Sequence, residues 1–190
     1  MPAVLLDRDG VINENRASYV TRWADFRFLP RSLEALAALR RLGLRLAVVT
    51  NQSVVGRGLL ARQTLEDIHR RMLAHCARGG ITIDGVLTCP HTPWDGCDCR
   101  KPQPGLLLRA MAALGEPPER CVAIGDGPED ALAAQAAGVP FALVRTGRGE
   151  ETLARLDGQL PPPLFVARDL WDASQALQQY FNLRTAVRAS

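Results

Sequence analysis

The chain has 190 residues, with 23 Lys and Arg against 20 Asp and Glu for a formal charge of +3 at pH 7. Hydrophobic residues at 47% and charged residues at 23% exclude a disordered or highly charged chain, and the length suits one domain with a substantial core. There is no apolar run of the ~20 residues a membrane span needs, no basic leader before an apolar segment, and no basic stripe or aromatic platform for nucleic acid. A cytoplasmic protein without membrane or nucleic-acid partners is expected, and no exposed apolar stripe argues against a monomer.

The first element is the apolar run Ala3-Val4-Leu5-Leu6, read as a buried strand that ends in Asp7-Arg8-Asp9-Gly10. Pro30 to Leu42 carries Leu33, Leu36, Leu39 and Leu42 at helical spacing and stops at Gly43. Leu44 to Val49 is a second buried strand ending at Thr50-Asn51, and residues 61–78 form a helix closed by Gly79-Gly80. A strand near 85–88 leads into a cysteine-rich loop, and Pro104 to Leu114 is helical with proline suited to the first turn. Val122-Ala123-Ile124 is a strand ending at Gly125-Asp126, Pro128 to Ala137 a helix, and Phe141 to Val144 a strand. After the stiff Pro161-Pro162-Pro163 run come a short strand and a last helix near 169–181, with a frayed tail at 182–190. Strands and helices alternating in this way predict an α/β domain over 1–181: a doubly wound, Rossmann-like parallel sheet with helices on both faces and little room for a cap.

Ligand sites in such sheets form beyond the carboxyl ends of the strands, where Asp7, Thr50, Asp126 and the neighbourhood of Lys101 converge. Asp7 and Asp9, two residues apart, repel unless a positive charge is shared between them, and a hard cation such as Mg2+ with oxygen ligands supplies it. An isolated D-x-D is as well explained as a solvated turn, Thr50-Asn51 as a helix cap, and Asp130 as an ordinary first-turn acid. It is their joint order that argues for chemistry.

A second cluster lies at 89–99. Cys89, His91, Cys97 and Cys99 offer three thiols and one imidazole, the ligand set of a closed four-coordinate Zn2+ site. No position is left open for a catalytic water, so a structural zinc that stiffens the loop before Arg100-Lys101-Pro102 is expected. Five cysteines, three of them in this loop, suit metal binding in a reducing compartment better than a disulfide framework. Cys76 and Cys121 read as small buried residues, and His69 and His75 as helix residues without an identifiable partner.

The order D-x-D-G, strand-T-N, a lysine before a helix, then G-D-x-x-x-D resembles the haloacid dehalogenase superfamily of phosphatases over roughly residues 3 to 147. The resemblance implies Asp7 as nucleophile and Asp9 as general acid and base. It implies Thr50 and Lys101 as groups stabilising the transferring phosphoryl, and Mg2+ held by Asp7, Asp9 through its carbonyl, and Asp126. D-R-D-G-V-I-N, T-N-Q-S followed by G-R-G, C-P-H with C-D-C-R-K-P-x-P-G, and V-R-T-G are similar to the histidinol-phosphatase-related branch and, within it, to the heptose-bisphosphate phosphatases. This narrower likeness implies a seven-carbon sugar with two phosphates as substrate, losing the C7 phosphate on the way to nucleotide-activated heptose. Arg8, Arg16, Ser18, Tyr19, Asn51, Gln52, Ser53 and Arg100 would contact that substrate. Arg57, Arg145 and Arg148 are candidates for the remote phosphate, and Trp94 for covering the site. Gly127 departs from the pattern, standing where the family commonly has a polar or cationic residue. A histidinol-phosphate phosphatase and a non-catalytic zinc-bearing module remain the alternatives.

Overall fold

The computed structural model describes residues 1–156 and 158–188. Six parallel strands form one sheet in the order β3-β2-β1-β4-β5-β6. They are β1 (Ala3–Leu6), β2 (Arg45–Asn51), β3 (Gly85–Cys89), β4 (Cys121–Gly125), β5 (Phe141–Val144) and β6 (Phe165–Ala167). β1 lies in the middle, paired with β2 on one side and β4 on the other, and all four of its residues are fully buried. This is why its sequence is a continuous apolar run rather than an alternation.

Side chains alternate between two cores. Val4 and Leu6 join Leu36, Ile68, Met72 and Leu177 on one face. Ala3 and Leu5 join Leu106, Leu107, Met111 and Ala134 on the other. The first face is covered by α1 (Ser32–Arg41), α3 (Arg62–Arg78) and α7 (Leu170–Arg188), and the second by α4 (Gly105–Leu114) and α5 (Pro128–Ala136). Two short helices, α2 (Ser53–Gly56) and α6 (Gly149–Leu153), were not legible in the hydrophobic pattern because a single turn carries no period. α7 continues to Arg188, past the end expected at 181, and the remainder of the expected tail at 189–190 lies outside the described residues.

The chain leaves β1 toward β2 and β3, then crosses back to β4 and moves out through β5 and β6. The order reverses between β1 and β4, so the loops after these two strands diverge and open a crevice at their carboxyl ends. Asp7 follows β1 and Asp126 follows β4. No helix of the described residues is long and apolar enough to cross a membrane.

Candidate active site

At this crevice the loops enclose a cavity of about 520 Å³ lined by Asp7, Asp9, Thr50, Gln52 and Lys101 at its base. Asp7, Asp126 and Asp130 offer carboxylate oxygens within 4.8 Å of one another. The backbone lets them meet. Gly10 and Gly147 both have positive φ and press on Asp126, so a Cβ at either would collide with its carboxylate. Thr146 Oγ1 donates to the Gly10 carbonyl at 2.6 Å, tying the loop after β5 to the loop after β1.

Lys101 reaches into the acids from the loop before α4. Its Nζ lies 2.8 Å from Asp7 Oδ1, 2.5 Å from Asp130 Oδ1 and 2.8 Å from the Val49 carbonyl, so its three hydrogens are all engaged. Asn51 holds Lys101 in register: its Nδ2 donates to the Lys101 carbonyl at 2.9 Å and its Oδ1 accepts the Lys101 N–H at 3.1 Å. The Asn51 side chain thus supports the lysine, although the residue also lines the cavity.

One cation is not enough for this many acids. Burial, set against the Lys101 charge, pushes the Asp7 carboxyl up to about 7. Burial and the charges of Asp7 and Asp130 push Asp126 up to about 8. Burial works against the Lys101 ammonium, but Asp130 and Asp7 hold it firmly charged. Asp130 is fully engaged, since its Oδ2 also accepts the Gly127 N–H at 3.0 Å. Asp126 Oδ2 takes the Arg148 N–H at 2.7 Å. Asp7 and Asp126 thus bring hard carboxylate oxygens within 4.8 Å of each other, a donor set that fits a divalent cation such as Mg2+.

Asp9 belongs to a different network. Arg8 Nη2 donates to both its oxygens, at 2.9 and 2.8 Å, Asn13 Nδ2 donates at 2.8 Å and Gln52 Nε2 at 2.6 Å. Burial favours the neutral form, but the Arg8 charge and these donors outweigh it and hold the Asp9 carboxyl below the usual range. Its carboxylate is not part of the Asp7, Asp126 and Asp130 cluster, although Asp9 lines the same cavity. Arg8 does not face substrate as expected: it has no exposure at all, because a guanidinium buried at this depth must spend its donors on Asp9 and on His69 Nε2, 2.9 Å away. His69, expected to be without a partner, is this second acceptor.

The mouth is basic. Arg16, Tyr19, Ser53, Arg57, Arg100 and Arg148 line it, together with Glu129. Ser18 is exposed and not part of the lining, and Arg145 pairs with Glu150 at 2.8 Å outside it. Glu129 was missed in the sequence, as was the role of Asp130, although G-D-x-x-x-D contained the signal for the latter. Arg148 pairs with Glu129, and a Cβ at Gly127 would meet its guanidinium. The side chain absent at 127 is thus replaced in space by a cation from 148. Trp94 is exposed and its ring lies 5.2 Å from the Arg57 guanidinium, at the rim.

Cys89, His91, Cys97 and Cys99 converge behind Arg100. Their sulfurs lie 3.2 to 3.7 Å apart, and His91 Nδ1 is 3.2 Å from Cys99 Sγ. A tetrahedral zinc with Zn–S of about 2.3 Å needs sulfurs about 3.7 Å apart, so the cluster fits with small adjustment. Burial pushes the Cys89 thiol up to about 12, while at Cys97 the Arg100 N–H and the neighbouring thiols overcome burial and bring it down to about 7.

The HAD-hydrolase-like family model matches residues 98–173. Over 179 residues the chain is 36% identical to D-glycero-beta-D-manno-heptose-1,7-bisphosphate 7-phosphatase of Neisseria meningitidis, covering 94% of this chain and 96% of that protein. It is 42% identical to the Pseudomonas putida enzyme of the same name over 82% of this chain and 89% of that one. The crystal structure of D,D-heptose 1,7-bisphosphate phosphatase from B. bronchiseptica, complexed with magnesium and phosphate, superposes with a TM-score of 0.90 at 38% identity, covering 95% of this chain and 99% of that one.

Proposed function

The chain belongs to the family of the D-glycero-D-manno-heptose-1,7-bisphosphate 7-phosphatases, and on that premise we propose that it hydrolyses the C7 phosphate of this bisphosphate through an aspartyl-phosphate intermediate, a step on the way to nucleotide-activated heptose. The observation that carries the reading is Asp7, held by Lys101 at 2.8 Å beneath a cavity with an arginine-rich mouth.

A phosphomonoester repels nucleophiles through its own charge, so catalysis is positioning and charge neutralisation. Lys101, 2.8 Å from Asp7, favours its ionised form against the effect of burial, and an Asp7 carboxylate oxygen attacks phosphorus. As the Asp7 O–P bond forms and the bond to the C7 oxygen breaks, Asp9 gives that oxygen a proton. Asp9 is ionised in the empty site and takes up this proton as the phosphate charge arrives beside it, since a neighbouring anion favours the neutral carboxyl. In the second half Asp9 removes a proton from water, which attacks the phosphorus and returns Asp7 as a carboxylate with inorganic phosphate released. Thr50 and Gln52 flank the path of the phosphoryl group, with Gln52 Nε2 bonded to Thr50 Oγ1 at 3.0 Å. Asp7, Asp126 and the Asp9 carbonyl would hold Mg2+, which neutralises charge between the acids and the phosphate.

The mouth supports a bisphosphate over histidinol phosphate. Beyond Asp7 and Asp9, Glu129 is the acid in the lining, and Arg148 has already neutralised it, holding its carboxyl below the usual range against the effect of burial. An amine-bearing substrate needs an unpaired carboxylate there, whereas a second phosphate finds Arg16, Arg57 and Arg100. With Mg2+ present, kcat/KM for the bisphosphate should exceed that for histidinol phosphate by at least about tenfold, with the C1 phosphate retained. Phosphate release favouring histidinol phosphate would keep the mechanism and overturn the substrate. The described site is complete within one chain, which supports a monomer. The free cysteines support a reducing, cytoplasmic setting.

The Cys/His cluster would hold a structural Zn2+, aiming Arg100 and Lys101. Cys97→Ser should lower bound zinc well below one per chain and reduce the melting temperature by several degrees. Activity should fall about tenfold as Lys101 shifts. Unchanged activity and melting in a zinc-free protein would contradict this role.

A further inference from the structure

Arg8 heads the fully buried side chains by volume among the described residues. A guanidinium only donates and stays charged, so each of its edges needs an acceptor. One edge, Nε and Nη2, faces Asp9 at 2.8 to 3.3 Å. The other, Nη1, faces His69 Nε2 at 2.9 Å across 61 residues of sequence. The Phe26 ring lies 6.0 Å from the guanidinium carbon and offers no acceptor of that strength. His69 sits on the inner side of α3 beside Leu65, Ile68 and Met72, itself only 8% exposed. Its Nε2 must accept, so the ring is neutral with its proton on Nδ1. Burial and the adjacent Arg8 charge favour that state, lowering its pKa to about 4.

We infer that His69 is a positioning residue for the general acid: by holding Nη1 of Arg8 it fixes the plane of the guanidinium against which the Asp9 carboxylate is aligned. The inference rests on Asp9 being the acid that protonates the leaving oxygen. Because the guanidinium is rigid and planar, a bond at one edge sets the direction of the other. Without His69, Arg8 keeps its charge but gains a buried, unmatched donor and freedom to turn toward another acceptor. Asn13 and Gln52 still grip Asp9, so its ionisation is preserved while its aim is loosened. A misplacement of about 1 Å at a reacting group costs up to about a hundredfold in rate.

The readout is the leaving group. An alkyl phosphate expels an oxygen that needs a proton, whereas 4-nitrophenyl phosphate leaves as a stable phenolate and does not. Measured as kcat/KM, which covers steps through departure of the leaving group, His69→Leu should lose about ten- to a hundredfold on the heptose bisphosphate. It should lose less than about threefold on 4-nitrophenyl phosphate. His69→Gln, whose amide oxygen can accept from Arg8, should recover most of the loss. Equal loss on both esters, or no loss on either, overturns the proposal. If His69→Leu does not fold, His69→Asn takes its place, with the same change in the ratio expected and an unchanged ratio overturning it. Asp9→Ala serves as the reference and should show the same selectivity, only larger. If Asp9→Ala affects both esters equally, the acid role of Asp9 itself fails, which separates that failure from a failure of His69.

Discussion

Asp7→Asn is expected to reduce turnover of every phosphomonoester by at least about 10⁴-fold while leaving the fold intact. The carboxamide keeps the shape of the side chain but has no charge with which to attack phosphorus, so no aspartyl-phosphate forms. Stability should hold or rise slightly. Asp7 stands among Asp126 and Asp130, and its charge is one reason the Asp126 carboxyl is pushed up to about 8. Lys101 loses one partner in the variant but keeps Asp130 at 2.5 Å and the Val49 carbonyl at 2.8 Å. Phosphate release from the bisphosphate and from 4-nitrophenyl phosphate, together with a thermal melt, checks the prediction. Turnover retained in a folded Asp7→Asn protein would remove Asp7 as the nucleophile.

Lys101→Met should be nearly as damaging, and it should act on both activity and stability. Loss of the fixed charge beside Asp7 should lower kcat by about 10² to 10³-fold. The methionine fills similar volume, so cavity formation is not the main cost. The main cost is leaving Asp7 and Asp130 buried without their cation, which destabilises by about 3 to 5 kcal/mol when both stay charged. The remedy open to Asp7 is to take a proton, and this sets the direction with pH. The folded pKa of Asp7 is already raised to about 7 from an ordinary 3.8, and removing Lys101 raises it further. A raised folded pKa contributes stability that is full below the unfolded value and is lost as pH rises through the folded one. The gap in melting temperature between wild type and Lys101→Met, measured without divalent metal, should therefore be wider at pH 8 than at pH 5.5. A gap that is constant, or wider in acid, would mean that the lysine does not hold these carboxylates in solution.

The parts of the architecture that were legible share one property: their signal is local. The apolar run Ala3 to Leu6 marks a strand buried on both faces whatever it pairs with. Leucine spacing in 30–42 marks a helix face, and the structure places that helix at Ser32–Arg41. The cysteine loop was legible because four ligands within 11 residues have few ways to be apart. Arg8 was misread as a substrate contact because a cation between two acids in a loop is usually solvated, and nothing local reveals that this one is roofed by α3. Glu129 was passed over because first-turn acids are common, and its pairing with Arg148 depends on the loop after β5 arriving from elsewhere.

By itself, then, the order of residues determined the alternation of strands and helices, the acids at the strand ends, and the Cys/His composition of the loop at 89–99. Tertiary structure alone decided which charges meet. Lys101 reaches Asp7 across 94 residues and Arg8 reaches His69 across 61, through the reversal of strand order between β1 and β4 and the packing of α3 over the sheet. Such pairings follow from burial: a charge taken out of water must find whatever partner the packed elements bring within 3 Å or so, and that partner is a property of the assembled fold rather than of any spacing in the chain.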